Sequence, residues 1–311
     1  MAQREQVSSV PGAGVIAAAG TRQRSRLRRL SWRPTFDLWL IAALPAVITL
    51  VLVFVLPLFY MASYSLHRRT GPARVGKELT LHNYERFISD PFYLGILLET
   101  FWLGLIVVSI CVALAYPAAY FLSRTTTRWR GTLIFLVVSP LLVSLVVRNL
   151  GFLPVLGESG LVNWALTSIR LINEPLRLNN NFTGVVIGLT HAMLPFMIVT
   201  LITVLQRIGP ELEEAAINLG AGPIRVFWSV ILPLSRPGLV AGYLVVFTLA
   251  TSAYTTPAML GGKRVLVMPT FIEQQIRSVL DYAFGATAAV VLLITTGMLT
   301  ALALRGQGKE Q

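Results

Sequence analysis

Six apolar runs, each long enough to cross a bilayer, decide what this chain can fold into. They lie at about residues 37–62, 93–122, 132–153, 183–205, 237–260 and 284–304. A hydrocarbon core of roughly 30 Å takes about 20 mostly apolar residues in helical form. Lipid offers no hydrogen bonds, so each crossing segment must satisfy its own backbone, and a helix does so. The expectation is an all-α polytopic membrane protein with six transmembrane helices. Composition agrees: 55% of the 311 residues are hydrophobic and 13% are charged, a poor match to a water-soluble domain. Pro45, Pro57, Pro117, Pro140 and Pro195 fall inside the runs. Neighbouring helices are expected to satisfy the backbone groups they free.

A net charge of +12 would suit nucleic acid in a soluble chain. Here Lys and Arg crowd into the N-terminal segment and the short connections between runs, which points to topology and contact with membrane lipid, not to nucleic acid. With the N-terminus inside, fifteen of them fall on the inner side and eleven on the outer. That bias favours both termini in the cytoplasm. Residues 1–35, with Arg22, Arg24, Arg26, Arg28, Arg29 and Arg33, read as a disordered basic cytoplasmic tail. Residues 36–305 read as the membrane domain and 306–311 as a short cytoplasmic tail. Cys111 has no partner for a disulfide, and His67, His82 and His191 stand in different segments without metal-ligand spacing. The sequence also lacks a P-loop. No catalytic residue, metal or cofactor is therefore expected in this chain.

One stretch breaks the apolar pattern. Between the fourth and fifth runs, residues 207–236 are polar, acidic and interrupted by Gly and Pro. Pro210 suits a first helical position, and Glu211, Glu213 and Glu214 favour a helix N-terminus. Leu212, Ala215, Ala216 and Leu219 then share one helical face. Gly220 follows where a left-handed cap needs glycine. Pro223 opens a second helix with Ile224, Phe227, Trp228 and Ile231 on one face, and Pro233 is expected to end it before the fifth span. Two short amphipathic helices at a tight turn suit either the lipid interface or a soluble partner.

These residues resemble the EAA loop of permease subunits in ATP-binding-cassette importers. The pattern is Glu-Ala-Ala, three residues, Gly, nine residues, then Ile, any residue, Leu-Pro. It reads here as Glu214-Ala215-Ala216, Gly220, Val230 and Leu232-Pro233, with Val for Ile as the departure. Further matches are looser and resemble spermidine/putrescine-type permeases: His82-Asn83-Tyr84, Asp90-Pro91, Tyr93-Leu94, Val147-Arg148, and Thr256 to Gly262. The likeness covers roughly residues 36–305. It implies a pore subunit in a bacterial cytoplasmic membrane, a second permease subunit that is a distinct homologue, and an ATPase dimer that binds the ATP. It also implies an extracytoplasmic substrate-binding protein and a polyamine as the solute. By the same resemblance, Glu214, Ala215, Ala216, Gly220, Val230, Leu232 and Pro233 form the element coupled to the ATPase, with Trp228 and its apolar neighbours holding the second helix against the membrane domain.

Ionisable and polar residues within the runs are the candidates for the pathway or for contact with the binding protein. Glu99 stands about two turns into the second run, where a carboxylate would attract a cation. Arg148 and Asn149 are read as ending the third span near the outer surface, and Tyr254 and Thr255 as closing the fifth. An ion-coupled secondary transporter is the alternative. It would call for inverted repeats and buried acidic coupling residues, and the sequence displays neither. A membrane subunit that transports nothing is the third reading.

Overall fold

The computed structural model describes residues 36–262 and 264–307. The basic segment 1–35 and residues 308–311 lie outside them. Two compact units meet in sequence at Pro57 and Leu58.

The first unit holds α1 (Phe36–Leu50) and a π-turn, Val51–Val55, leading into α2 (Leu56–Ser65). Its side chains from Ala43 to Pro57 are exposed, as expected where the solvent is hydrocarbon. The π-turn has a local cause. In a regular α-helix, the ring of Pro57 would clash with the carbonyl of the residue four before it. Widening the preceding turn, with the Leu56 N–H donated to the Val51 carbonyl, relieves that clash.

The second unit opens with a hairpin, β1 (His67–Gly71) and β2 (Arg74–Leu79), followed by the short α3 (His82–Ser89). An all-α expectation did not include these strands. Gly71-Pro72-Ala73 turns the chain between them, with Ala73 at φ 54°. Three helices then make the core: α4 (Pro91–Arg124), α8 (Phe182–Leu205) and α11 (Leu232–Thr251). Val107, Cys111, Ala115 and Ala119 form an i, i+4 stripe on α4 and are buried with Leu189, Met197, Leu201 and Leu205 of α8. Within a membrane, close contact comes from small residues. A Cβ at Gly238 would stand 2.3 Å from Val204, and one at Gly242 would stand 2.7 Å from the Met197 sulfur.

Between α4 and α8 the third run is not one span. Arg130–Val138 (α5) passes into a 3₁₀ turn at Ser139–Leu142, and the backbone is extended at Val143 and Ser144. Helix then resumes as α6 (Leu145–Leu156) and α7 (Leu161–Ser168). The expected continuous span 132–153 is corrected accordingly, because Pro140 removes the donor that would continue α5.

The fifth span is also corrected, in the opposite sense. Pro233 does not end a helix. Helix α10 (Pro223–Val226), a π-turn at Phe227–Ile231 and α11 run on as one apolar helix, Pro223–Thr251. Again the π-turn directly precedes a Leu-Pro pair and donates the Leu232 N–H back to Phe227. The far end comes early, at Thr251, and residues 255–260 form a separate helix, α12 (Thr255–Leu260). The remaining elements are α9 (Pro210–Asn218), α13 (Met268–Arg277) and α14 (Tyr282–Gln307). Among the described residues, six helices are long and apolar enough to cross a membrane: Ala43–Ser65, Pro91–Arg124, Leu145–Ser168, Phe182–Leu205, Pro223–Thr251 and Tyr282–Arg305.

The hairpin, α3, α13 and the start of α14 build one face of the second unit. Asn83 donates to the carbonyls of Ser65 and His67, Arg69 pairs with Asp281 at 3.5 Å, and the rings of Phe87, Tyr93, Phe271 and Phe284 form one cluster, Tyr93 stacked on Phe87 and edge-on to Phe284. Helix α9 lies at the opposite face.

Candidate coupling helix and pathway residues

Helix α9 begins at Pro210 with Glu211 and Glu213 in its first turn. It ends in a Schellman cap: Gly220 has φ +85°, its N–H donates to Ile217, and the Ala221 N–H donates to Ala216. The glycine expected for a left-handed turn is where the turn occurs.

The side of α9 that faces the protein differs from the expected one. Leu212, Ala215 and Leu219 are exposed, Leu219 at 89%. Glu213 points inward instead. Its carboxylate accepts from Arg124 Nε at 2.9 Å and Nη2, and from the Tyr120 hydroxyl at 2.7 Å. Arg124 Nη1 also donates to the carbonyls of Leu205 and Ile208. One guanidinium thus joins the end of α4, the end of α8 and the start of α9. A charge fixed in this way outweighs the apolar face in setting how a three-turn helix lies. Glu214 is exposed beside Ala215, and Ala216 packs inward.

Trp228 is likewise exposed, at 63%, and does not hold its helix against the core. Val226, Phe227, Val230 and Ile231 do so, with the Phe227 ring edge-on to Tyr116 at 5.2 Å. Ile224, expected on the same face and placed before the π-turn, is exposed as well. Leu232 and Pro233 are half-buried where the helix turns toward the core.

The five pathway candidates fall into three groups along the chain, Glu99, Arg148 with Asn149, and Tyr254 with Thr255. Arg148 and Asn149 do not end a span. They occupy the first turns of α6, just after the extended residues. Asn149 is 1% exposed and lies 3.1 Å from the Thr256 hydroxyl, so this pair ties α6 to α12. Thr256, one residue past the expected Thr255, is the side chain that meets Asn149. Arg148 keeps Nε and Nη1 buried without a hydrogen-bond partner among the described residues. Tyr254 caps α12 and lines a cavity of about 570 Å³ with Thr270, Glu273 and Gln274. Glu99 lines a different cavity, between α4, α11 and α14. His191, exposed on α8, sets its ring edge-on to Phe152 at 5.2 Å.

A short helix pinned by an ion pair to a core of membrane-length helices gives a polytopic membrane fold, and comparison supplies its family. Residues 11–306 match the family model described as the binding-protein-dependent transport system inner membrane component. The chain belongs to that family and is the permease subunit of an ATP-binding-cassette importer in a multi-pass, inner-membrane arrangement. This membership decides against the ion-coupled and non-transporting readings. The chain is 32% identical over 250 residues to the spermidine/putrescine transport system permease protein PotB of Escherichia coli, covering 80% of this chain and 90% of that protein. It is 28% identical over 254 residues to the sulfate transport system permease protein CysW of Synechocystis, covering 80% and 86%. Among solved structures, a bacterial ABC transporter importing the acidic polysaccharide alginate superposes with TM-score 0.72 at 14% identity, over 87% of this chain and 96% of that one. The MetNI methionine ABC transporter superposes with TM-score 0.53 at 16% identity, over 68% and 93%.

Proposed function

We propose that this chain lines the pathway of a polyamine importer. A second, distinct permease subunit completes the pore, a dimer of separate ATPase subunits drives it, and an extracytoplasmic binding protein loads it. Both termini and α9 lie on the cytoplasmic side. The chain itself is non-catalytic and carries no cofactor, since ATP is bound by the ATPase.

The observation that carries this reading is the posture of α9. Leu212, Ile217 and Leu219 are exposed beside Glu214 and Ala215, an apolar ledge that suits a protein partner. Small Ala215 lets a partner approach closely, Glu214 offers it a charge, and Gly220 gives the sharp return of chain. Closure of the ATPase dimer would push this rigid ledge, and Arg124 with Glu213 would pass the push to α4 and α8, a helix-shift switch of the kind that reorients pores. The polyamine assignment is supported by the relatives that are named for spermidine and putrescine.

Co-purification tests the coupling role. The ATPase subunit is expected to remain with the wild-type complex in mild detergent, and to be lost with Glu214→Ala or with Gly220→Val, which forces a side chain into φ +85°. An ATPase retained by both variants would remove α9 from the coupling role. Uptake of radiolabelled spermidine and putrescine by vesicles carrying the complete importer tests the substrate.

A further inference from the structure

A cavity of about 740 Å³ opens between α4, α11 and α14, within the roughly 300–1,000 Å³ usual for small-ligand sites. Its wall is almost wholly apolar, with Glu99 as the single carboxylate. Three rings line the same cavity: Phe101 stacks on Phe247 at 6.1 Å between centroids, and Tyr243 stacks on Phe247 at 6.2 Å. Trp102 adds a fourth, exposed ring.

Glu99 stands roughly 12 Å along α4 from Pro91, at the usual helical rise, on a helix long and apolar enough to cross a membrane. A carboxylate at that depth is costly unless a cation meets it. None of the ion pairs among the described residues includes Glu99. A hard metal ion does not fit, because six or more oxygen ligands are usual for calcium and the lining side chains offer only this carboxylate and the hydroxyls of Thr300 and Tyr243. Aromatic faces attract organic cations, and the leucines of the wall suit a methylene chain. The ligand chemistry is therefore an ammonium group on an alkyl stem.

We propose that this cavity holds an alkylammonium end of the transported polyamine, with Glu99 as counter-ion and the rings of Trp102, Tyr243 and Phe247 flanking the charge and its stem. The proposal rests on the polyamine reading given above and assigns that substrate a place. The groove is open on one side, so the bound amine is held on its way rather than sequestered.

The test uses the complete importer in proteoliposomes with loaded binding protein in excess, and radiolabelled spermidine as probe. Glu99→Gln keeps the shape and removes the charge, and import is expected to fall by about tenfold or more, the scale of losing one charged contact. Glu99→Asp should restore most of it. Trp102→Leu should also slow import, and Trp102→Phe should not. Co-purification of the ATPase with each variant reports that the chain is folded and assembled. If the wild-type importer carries neither spermidine nor putrescine, the polyamine reading fails and this site falls with it. If the wild type imports spermidine and Glu99→Gln does so at the same rate, the site alone is overturned. A Trp102→Cys chain that cross-links to the second permease subunit, together with unchanged import by Glu99→Gln, would give the groove to that subunit instead.

Discussion

Removing the Arg124 guanidinium would leave Glu213 half-buried, with the Tyr120 hydroxyl as its remaining partner. Stripping one member from such a pair costs about 3–5 kcal/mol when it is fully buried, and somewhat less here because both side chains keep some exposure. Arg124→Ala is expected to lower the thermal unfolding temperature of the complex and to abolish uptake. Arg124→Lys should rescue little, since a single ammonium lacks the fork that reaches both Glu213 and the carbonyls of Leu205 and Ile208. The double change Arg124→Met with Glu213→Leu separates the two roles. Stability should return because no charge is left buried, whereas uptake should stay low because α9 is no longer fixed to α4. Unfolding scans and uptake on the same preparations check this, and normal uptake in the double variant would show that the latch transmits nothing. The partnership was not legible in the sequence. Glu213 reads as one of three acids at a helix start, and its partner stands 89 residues earlier, at the end of another span. Gly220 was legible, because a left-handed cap is a local requirement that one residue type meets.

At the scale of elements, hydropathy located the spans whose boundaries are set by solvent. Phe182–Leu205 and Tyr282–Arg305 begin and end within two residues of the apolar runs that announced them. It misjudged the spans whose boundaries are set by backbone chemistry. Pro233 was expected to stop a helix and instead sits after a π-turn that accommodates it, while Pro140 was expected to be absorbed and stops one. Proline states that a hydrogen bond is missing; the packing around it decides whether the helix widens or breaks. The seam between α8 and α11 offers the sharper test. Gly238→Leu would drive a large side chain against Val204, where even a Cβ would lie at 2.3 Å. Overpacking of this kind costs about 1–3 kcal/mol or more. The expected result is a complex that unfolds at lower temperature and is recovered in lower yield, with Val204→Ala in the same chain restoring part of the loss. Equal stability of Gly238→Leu and wild type would mean that the two helices do not approach so closely.

For the molecule as a whole, the break at Val143 and Ser144 carries the most weight. Non-helical backbone at membrane depth survives only where protein or a water-filled cavity meets its polar groups. Here the extended pair is exposed and flanked by exposed Leu142, Val146 and Val147. Close by in sequence, Asn149 is locked to Thr256, and Arg148 keeps two buried nitrogens unpartnered. A polar, anchored interruption of this kind would suit a wall of the pore proposed above. A cysteine at Ser144 reads this out directly, because Cys111, the chain's own cysteine, is fully buried. In the assembled importer, Ser144→Cys should react with a water-soluble maleimide, and the rate should change by about threefold or more when ATP closes the ATPase dimer, since alternating access moves this wall between wet and covered states. Labelling only by a lipid-soluble reagent, at one rate in both nucleotide states, would put the break against lipid and end its assignment to the pathway.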